Sequence, residues 1–155
     1  MSGHMINKKI GIIDYGASNI FNLVNAFEHL NVNVKVIDEP QDMSEITHLV
    51  LPGVGAFENG MNSLKNKNLT DLILGHAEKD LPFLGICLGM QMMLSESYEF
   101  GSHSGLNIIN GKIKKIPNIN NDGVRHKIPH IGWNTINMSS NNFLKKSIVN
   151  DAVDN

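Results

Sequence analysis

The sequence is poor in the features that mark several large classes of protein. It has one cysteine in 155 residues, so an intrachain disulfide is impossible and a reducing compartment is expected. No apolar run approaches the roughly 18 residues of a membrane-spanning helix, and no signal peptide is recognisable. Charges form no large block, and the formal net charge at pH 7 is −2, which argues against nucleic-acid binding. We therefore expect a cytoplasmic globular protein that binds neither membranes nor nucleic acids.

The chain is long enough to form one domain with a real core. We expect residues 6–155 to be that domain and residues 1–5 to be a cloning remnant. Short apolar runs alternate with amphipathic helical patterns, which predicts strands over 9–14, 32–37, 47–51 and 81–86 and helices over 20–30, 56–64 and 69–78. This alternation predicts an α/β doubly wound fold with a parallel sheet. Ligands of such sheets bind beyond the carboxyl ends of the strands.

The pattern changes after residue 96. Glycine and asparagine become frequent, and alternating apolar residues occupy 106–109, 111–116 and 127–136. Such alternation predicts strands that are half-buried, typical of antiparallel pairing. We therefore expect antiparallel strands appended to the parallel sheet.

The single cysteine, Cys87, stands between Gly85 and Gly89, after an apolar run and before a helical pattern. This is the spacing of a nucleophile elbow, in which glycines permit a strained strand-to-helix turn that exposes the nucleophile. A lone cysteine is more often an inert core residue. The two glycines at the required spacing favour a catalytic Cys87 instead.

A second glycine-rich turn, Pro52-Gly53-Val54-Gly55 (the 52–55 loop), follows the third predicted strand. It could cradle a phosphate, but neither a dinucleotide fingerprint nor a P-loop lysine accompanies it. It could also be a tight turn with no further role. Beside a nucleophile elbow, it is better interpreted as one side of an oxyanion hole, with the N–H of Leu88 on the other side. A thiolate with such a hole performs acyl transfer through a thioester, and Gln91, one helical turn beyond Cys87, could contact the substrate.

Four segments together resemble the class I glutamine amidotransferases: Gly85-Ile86-Cys87-Leu88-Gly89-Met90-Gln91, Pro52-Gly53-Val54-Gly55-Ala56-Phe57, Asp14-Tyr15-Gly16 and Lys127-Ile128-Pro129-His130-Ile131-Gly132-Trp133-Asn134. The elbow is typical of the whole superfamily. The second and fourth segments more closely resemble the glutaminase subunits of imidazole glycerol phosphate synthases. The resemblance implies a flavodoxin-like α/β domain and covers about residues 10–135.

The resemblance also implies an activity. Cys87 would hydrolyse L-glutamine, Gly53, Val54 and Leu88 would form the oxyanion hole, and Gly55 and Gln91 would bind the substrate. No cofactor and no metal are implied. Ammonia would pass through a channel to a cyclase subunit, a β/α barrel that forms a heterodimer with this chain and makes imidazole glycerol phosphate in histidine biosynthesis. In that family the 52–55 loop rests in an inactive arrangement until the partner binds its own ligand.

The segment that contains Trp133 would lie at the interface with this cyclase. The resemblance places three of its residues there: His130, Trp133 and Asn134. A tryptophan in such a segment could equally be a core aromatic, so the two interpretations of Trp133 stay open at this point.

The chain departs from the family pattern in the catalytic triad. Family members carry a His-x-Glu pair well downstream of the cysteine, whereas the pair found here, His76-Ala77-Glu78, precedes Cys87 and is expected on a solvated helix face. Because relatives are longer, we expect a C-terminally incomplete chain that is inactive alone. Three alternatives are a non-catalytic partner-binding subunit, an amidotransferase of another pathway such as surface-sugar biosynthesis, and a Cys-dependent hydrolase or redox sensor.

Overall fold

A computed structural model describes residues 8–119, 122–125, 127–129 and 131–133 of the chain. They fall into two compact units, Met1–Lys115 and Ile116–Asn155. The first unit contains a four-stranded parallel sheet with the strand order β2-β1-β3-β4. Its strands are β1 Ile10–Ile13, β2 Val34–Ile37, β3 His48–Leu51 and β4 Phe83–Gly85. These pairings confirm the predicted parallel sheet. Its strands are apolar and rich in β-branched residues, as is typical of strands covered by helices.

Four helices connect and flank these strands: α1 Ile20–His29, α2 Phe57–Asn66, α3 Thr70–Glu78 and α4 Leu88–Met92. Asn19 caps α1, since its side chain accepts a hydrogen bond from the backbone N–H of Asn22 at 3.4 Å. The predicted helices are confirmed to within a few residues at each end. In the part of the chain that the structure describes, no helix is long and apolar enough to cross a membrane.

The core lies where α2, α3 and α4 pack against the parallel sheet. Strand residues such as Leu49 and Leu51 are almost completely buried there. The helices contribute the buried side chains Phe57, Met61, Leu64, Ile73, Leu88 and Met92. Helix α1, by contrast, contains no buried residue. The short helix that follows Cys87 is therefore fixed by the core of the domain.

A second, three-stranded sheet follows α4, in the order β6-β5-β7. Its strands are β5 Leu94–Ser97, β6 His103–Ser104 and β7 Ile109–Ile113. The appended strands are confirmed; β5 pairs antiparallel with β6 and parallel with β7, so the sheet is mixed.

Two of the predicted strands in this region are wrong within the described residues. Leu106 and Asn107 donate backbone hydrogen bonds to Met92 and Leu94 at 2.8 and 3.2 Å, and Asn107 has a φ of 55°. These residues therefore turn across the end of α4, and the strand begins only at Ile109. Residues 127–129 and 131–133 form no strand either; in the second unit the described residues make one isolated antiparallel bridge, Ile119 with Arg125.

His76 does not lie on a solvated helix face, contrary to the prediction. It is 4% exposed, and its Nε2–H donates to the carbonyl oxygen of Pro82 at 3.1 Å. The ring packs edge-on against Phe83 at the start of β4. Burial lowers the pKa of His76, so the ring is held neutral.

Candidate active site

Three of the segments singled out in the sequence lie at the carboxyl edge of the parallel sheet. Asp14 directly follows β1, Pro52 follows β3 and Cys87 follows β4 by two residues. Because the strands are parallel, these segments meet at one edge. They therefore lie at the edge where ligands of such sheets bind.

Cys87 lies at a strained turn between β4 and α4. Its φ is 53°, a left-handed value that a residue with a side chain rarely adopts. The thiol is free and exposed, so Cys87 is not an inert core cysteine. A strained backbone that presents an exposed sulfur is the geometry of a nucleophile elbow.

Glycine at position 89 allows the elbow to contact the end of β3. A Cβ at Gly89 would overlap the Leu51 carbonyl oxygen and lie 2.6 Å from its carbon. The same carbonyl oxygen accepts a hydrogen bond from the backbone N–H of Ile86 at 3.0 Å. A Cβ at Gly85 would lie 2.6 Å from Cα of Met90. Both elbow glycines are therefore required by close backbone packing around Cys87.

The 52–55 loop contacts the elbow directly. A Cβ at Gly53 would lie 2.9 Å from Cβ of Leu88 and 3.0 Å from the backbone nitrogen of Gly89. Leu88 is the first residue of α4, a position whose N–H has no partner inside the helix. The structure thus brings together Gly53 and Leu88, two of the residues predicted to line an oxyanion hole.

The third predicted oxyanion donor is engaged elsewhere. The backbone N–H of Val54 donates to the carbonyl oxygen of Ala17, in the turn between β1 and α1, at 3.1 Å. Its side chain is exposed, and Gly55 beside it has a φ of 97°. In this arrangement the Val54 N–H is not directed at a substrate bound to Cys87.

Tyr15 lies beside the 52–55 loop, although the sequence alone assigns it no role. It is 2% exposed, and its buried hydroxyl oxygen has no hydrogen-bond partner within the described residues. The hydroxyl occupies the space into which a Cβ at Gly53 would project. Burial, followed by the negative charges that Cys87 and Asp14 can carry, raises the pKa of Tyr15 to about 12. Tyr15 is therefore a neutral hydrogen-bond donor at physiological pH.

The first turn of α2, which follows the 52–55 loop, is contacted by Glu99, between β5 and β6, and by His103, the first residue of β6. The carboxylate of Glu99 accepts a hydrogen bond from the backbone N–H of Phe57 at 2.8 Å. His103 Nδ1 lies 3.7 Å from a carboxylate oxygen of Glu58. Ala56, at the N-cap of α2, makes no side-chain cap of its own. Glu99 thus replaces the missing cap from a distant part of the chain.

Gln91 lines a cavity of about 490 Å³ together with Glu99 and Lys114. Cys87 is not among the described residues around this cavity. A larger groove of about 810 Å³ lies at the amino ends of β1, β2 and β3, on the opposite edge of the sheet from Cys87. Its charged residues include the ion pair between Lys35 Nζ and Asp42 Oδ1 at 2.7 Å. The groove therefore offers no link to the elbow chemistry.

The predicted interface residues are only partly described. Trp133 is fully exposed, so it is not a core aromatic of the described structure, and its place at an interface stays a prediction. His130 and Asn134 lie outside the described residues.

Comparison with known proteins gives consistent results. The family model for class I glutamine amidotransferase matches residues 11–150. An imidazole glycerol phosphate synthase subunit HisH 1 of Legionella pneumophila (strain Paris) is 47% identical over 127 residues, covering 82% of this chain and 60% of the relative. Subunit HisH of Chlorobium chlorochromatii is 40% identical over 141 residues, covering 91% of this chain and 68% of the relative. The chain thus spans about 60% of the length of the first of these curated relatives.

Solved structures support the fold. A glutamine amidotransferase crystal structure superposes with a TM-score of 0.58 at 14% identity, over 66% of this chain and 54% of that one. A putative peptidase E protein from Listeria monocytogenes gives a TM-score of 0.54 at 15% identity, over 70% of this chain and 66% of that one. At such identities the likeness shows the α/β architecture alone.

Proposed function

Because the chain belongs to the class I glutamine amidotransferase family, we propose that it carries the nucleophile of a glutaminase and supplies ammonia to a cyclase subunit that makes imidazole glycerol phosphate in histidine biosynthesis. One observation carries this proposal. Cys87 is an exposed thiol at a positive φ, between two glycines that permit close backbone packing. A free thiol in this position fits a reducing compartment, the cytoplasm.

The proposed chemistry is acyl transfer. The Cys87 thiolate attacks the carbon of the glutamine side-chain amide, and the carbonyl oxygen becomes an oxyanion. The amino group takes up the proton that the thiol gave up, and collapse of the adduct then releases ammonia and leaves a thioester. Water hydrolyses the thioester to glutamate and free thiol. We propose that the Leu88 N–H donates to the oxyanion, because Leu88 directly follows the nucleophile. Gln91, one turn further along, is proposed to contact the substrate together with Gly55.

The oxyanion hole is incomplete in the conformation described. We propose that Val54 becomes its second donor once its N–H leaves the Ala17 carbonyl oxygen, which it now contacts at 3.1 Å. Removing one such donor typically lowers the turnover number by about 10²- to 10³-fold. Rearrangement of the 52–55 loop would therefore couple glutamine hydrolysis to partner binding.

The partner is proposed from the relatives, which are named as subunits of imidazole glycerol phosphate synthase. The fully exposed indole of Trp133 supports docking to another chain, since tryptophan is enriched in protein interfaces. No His-x-Glu pair follows Cys87 in these 155 residues. We therefore propose that this polypeptide by itself does not turn over glutamine.

The function is tested by covalent labelling of Cys87, which does not need the missing base. The reagent is the chloroketone analogue of glutamine, in which a chloromethyl ketone replaces the side-chain amide; a carbon–sulfur bond forms and chloride leaves. Chloroacetone, which lacks the amino acid portion, is the matched reagent. We expect the glutamine analogue to label Cys87 at least roughly 10-fold faster than chloroacetone, because the site positions it. L-Glutamine should slow this labelling.

Intact mass spectrometry measures both rates, and Cys87→Ala controls for adducts elsewhere. Equal rates with the two reagents, without protection by glutamine, would reject a glutamine site and favour a non-catalytic binding subunit. Ammonia released by the isolated chain and lost in Cys87→Ala would instead contradict its proposed inactivity.

A further inference from the structure

Tyr15 has a buried hydroxyl group with no hydrogen-bond partner among the residues that the structure describes. The hydroxyl oxygen is shielded from solvent. A buried hydroxyl without a partner is costly, on the order of 1–3 kcal/mol, and such groups are rare in native proteins. Ser18, in the same turn between β1 and α1, also has a buried hydroxyl for which the described part of the chain offers no partner. In the conformation described, two buried hydroxyl groups of this turn are therefore available to donate hydrogen bonds.

The same turn holds the 52–55 loop. The carbonyl oxygen of Ala17 accepts the Val54 N–H at 3.1 Å, and the Tyr15 hydroxyl contacts the backbone of Gly53 on the side where a Cβ would project. The peptide group that joins Gly53 to Val54 thus lies between the turn and the elbow. Its N–H points at the turn.

Rotation of that peptide exchanges the directions of its two polar groups. When the Val54 N–H turns away from Ala17, the Gly53 carbonyl oxygen turns toward the β1–α1 turn, where the N–H had been. Glycine at 53 and at 55 gives the backbone the freedom to rotate. The oxygen then needs a donor in a buried place, because an unpaired carbonyl there would oppose the rotation.

We propose that Tyr15 is a positioning residue of the oxyanion loop, whose hydroxyl donates a hydrogen bond to the Gly53 carbonyl oxygen when the Val54 N–H turns toward Cys87. The inference rests on the proposed glutaminase function. It assigns a role to an otherwise unexplained buried group, and it makes Tyr15 act on the reaction through the loop and not on the substrate. The raised pKa of Tyr15 supports it, because the phenol keeps its proton and remains a donor throughout the neutral range.

The test compares Tyr15→Phe with the unaltered chain in two alkylation reactions of Cys87. With the chloroketone analogue of glutamine, the Cys87 thiolate first adds to the ketone carbon, and the assembled hole stabilises the oxyanion that forms. The sulfur then displaces chloride from the adjacent carbon while the ketone re-forms, which leaves the labelled thioether. Iodoacetamide alkylates the sulfur directly and does not need it. A rate that requires a minor conformation scales with its population, even when that population is small. We expect Tyr15→Phe to slow labelling by the chloroketone by roughly 5- to 150-fold and to change the iodoacetamide rate by less than about twofold.

Thr70→Val is the matched control, because the hydroxyl of Thr70, at the start of α3, is also buried and has no partner in the part of the chain that the structure describes. We expect it to leave both rates unchanged. Tyr15→Phe should melt at the same temperature as the unaltered chain or higher, since it removes an unsatisfied buried group.

Each outcome decides the matter. If the unaltered chain is labelled selectively by the glutamine analogue and Tyr15→Phe is labelled equally fast, the role of Tyr15 is rejected while the glutaminase proposal stands. If Tyr15→Phe slows both reagents alike, the hydroxyl acts on the thiol and not on the loop, and the inference is again rejected. If the unaltered chain shows no selectivity, the proposed function fails and the role of Tyr15 fails with it.

Discussion

Gly89→Ala tests whether the elbow depends on direct backbone contact with β3. The added Cβ would overlap the Leu51 carbonyl oxygen and would lie 2.6 Å from the Leu51 carbonyl carbon and 3.1 Å from that of Pro52. All three atoms belong to the backbone at the end of β3 and the start of the 52–55 loop, so no side-chain rotation can relieve the clash. Helix α4 must move away from the strand.

The structure permits an order-of-magnitude cost. Overpacking of this kind typically costs about 1–3 kcal/mol. Moving α4 also weakens the hydrogen bond from Ile86 N–H to the Leu51 carbonyl oxygen, now 3.0 Å, for about 1 kcal/mol more. The total is roughly 2–4 kcal/mol of unfolding free energy, which in a domain of this size lowers the melting temperature by about 5–15 °C.

Thermal unfolding followed by circular dichroism measures the effect. Gly75→Ala is the matched control, because Gly75 lies inside α3 and a Cβ there meets nothing within 4 Å. It should be neutral or stabilise the protein by about 0.5–1 kcal/mol, the usual helical preference of alanine over glycine. A Gly89→Ala chain that melts within a degree or two of the unaltered protein, while Gly75→Ala behaves as expected, would refute the contact argument.

Three further predictions concern other features. Burial lowers the pKa of His76 in the folded chain, so the unfolded chain binds the proton at a higher pH, and the contribution of His76 to the free energy of unfolding is complete above about pH 6.5 and is lost as the pH falls. Urea unfolding at about pH 5 and about pH 7.5 should therefore show a lower free energy of unfolding at the lower pH. His76→Phe should reduce this difference, whereas His29→Gln should not. Glu99→Ala removes the acceptor for Phe57 N–H and should lower the free energy of unfolding in urea by about 1–2 kcal/mol, with partial recovery in Glu99→Gln. Equal free energies for the unaltered chain and both variants would contradict the capping role of Glu99. Trp133→Ala should weaken calorimetric binding of a cyclase subunit by at least roughly 10-fold, and unchanged affinity would remove Trp133 from the interface.

The parallel half of the fold follows from local patterns in the sequence. Each strand is a short apolar run that ends at a glycine, a proline or an aspartate, and each helix repeats its apolar residues at helical spacing. The elbow was predictable for a similar reason, because Gly85 and Gly89 are needed by backbone geometry close to Cys87. Such features are encoded within a few residues and do not depend on distant partners.

What the sequence failed to predict depends on distant contacts. Helical spacing does not show that His76 packs beneath the start of β4, nor that Glu99 supplies the cap of α2, 42 residues earlier in the chain. The role of Tyr15 is hidden for the same reason, since it depends on contact with Gly53. The missing capping side chain at Ala56 was the one local signal that a partner for α2 had to come from elsewhere. The strand predicted over 106–109 is wrong because Leu106 and Asn107 form a turn across the end of α4.

Because α1 contains no buried residue, the turn before it is expected to release the 52–55 loop readily. An element that buries little apolar area opens locally at low free energy, and its amides exchange with deuterium faster than those of the core. The Ala17 carbonyl oxygen that retains Val54 lies three residues before α1. The hydrogen bond that retains the Val54 N–H is thus next to α1, a helix with no buried residue. Cys87, by contrast, directly precedes α4, whose buried side chains pack in the core. We therefore expect local opening around α1 to release the Val54 N–H without displacing Cys87.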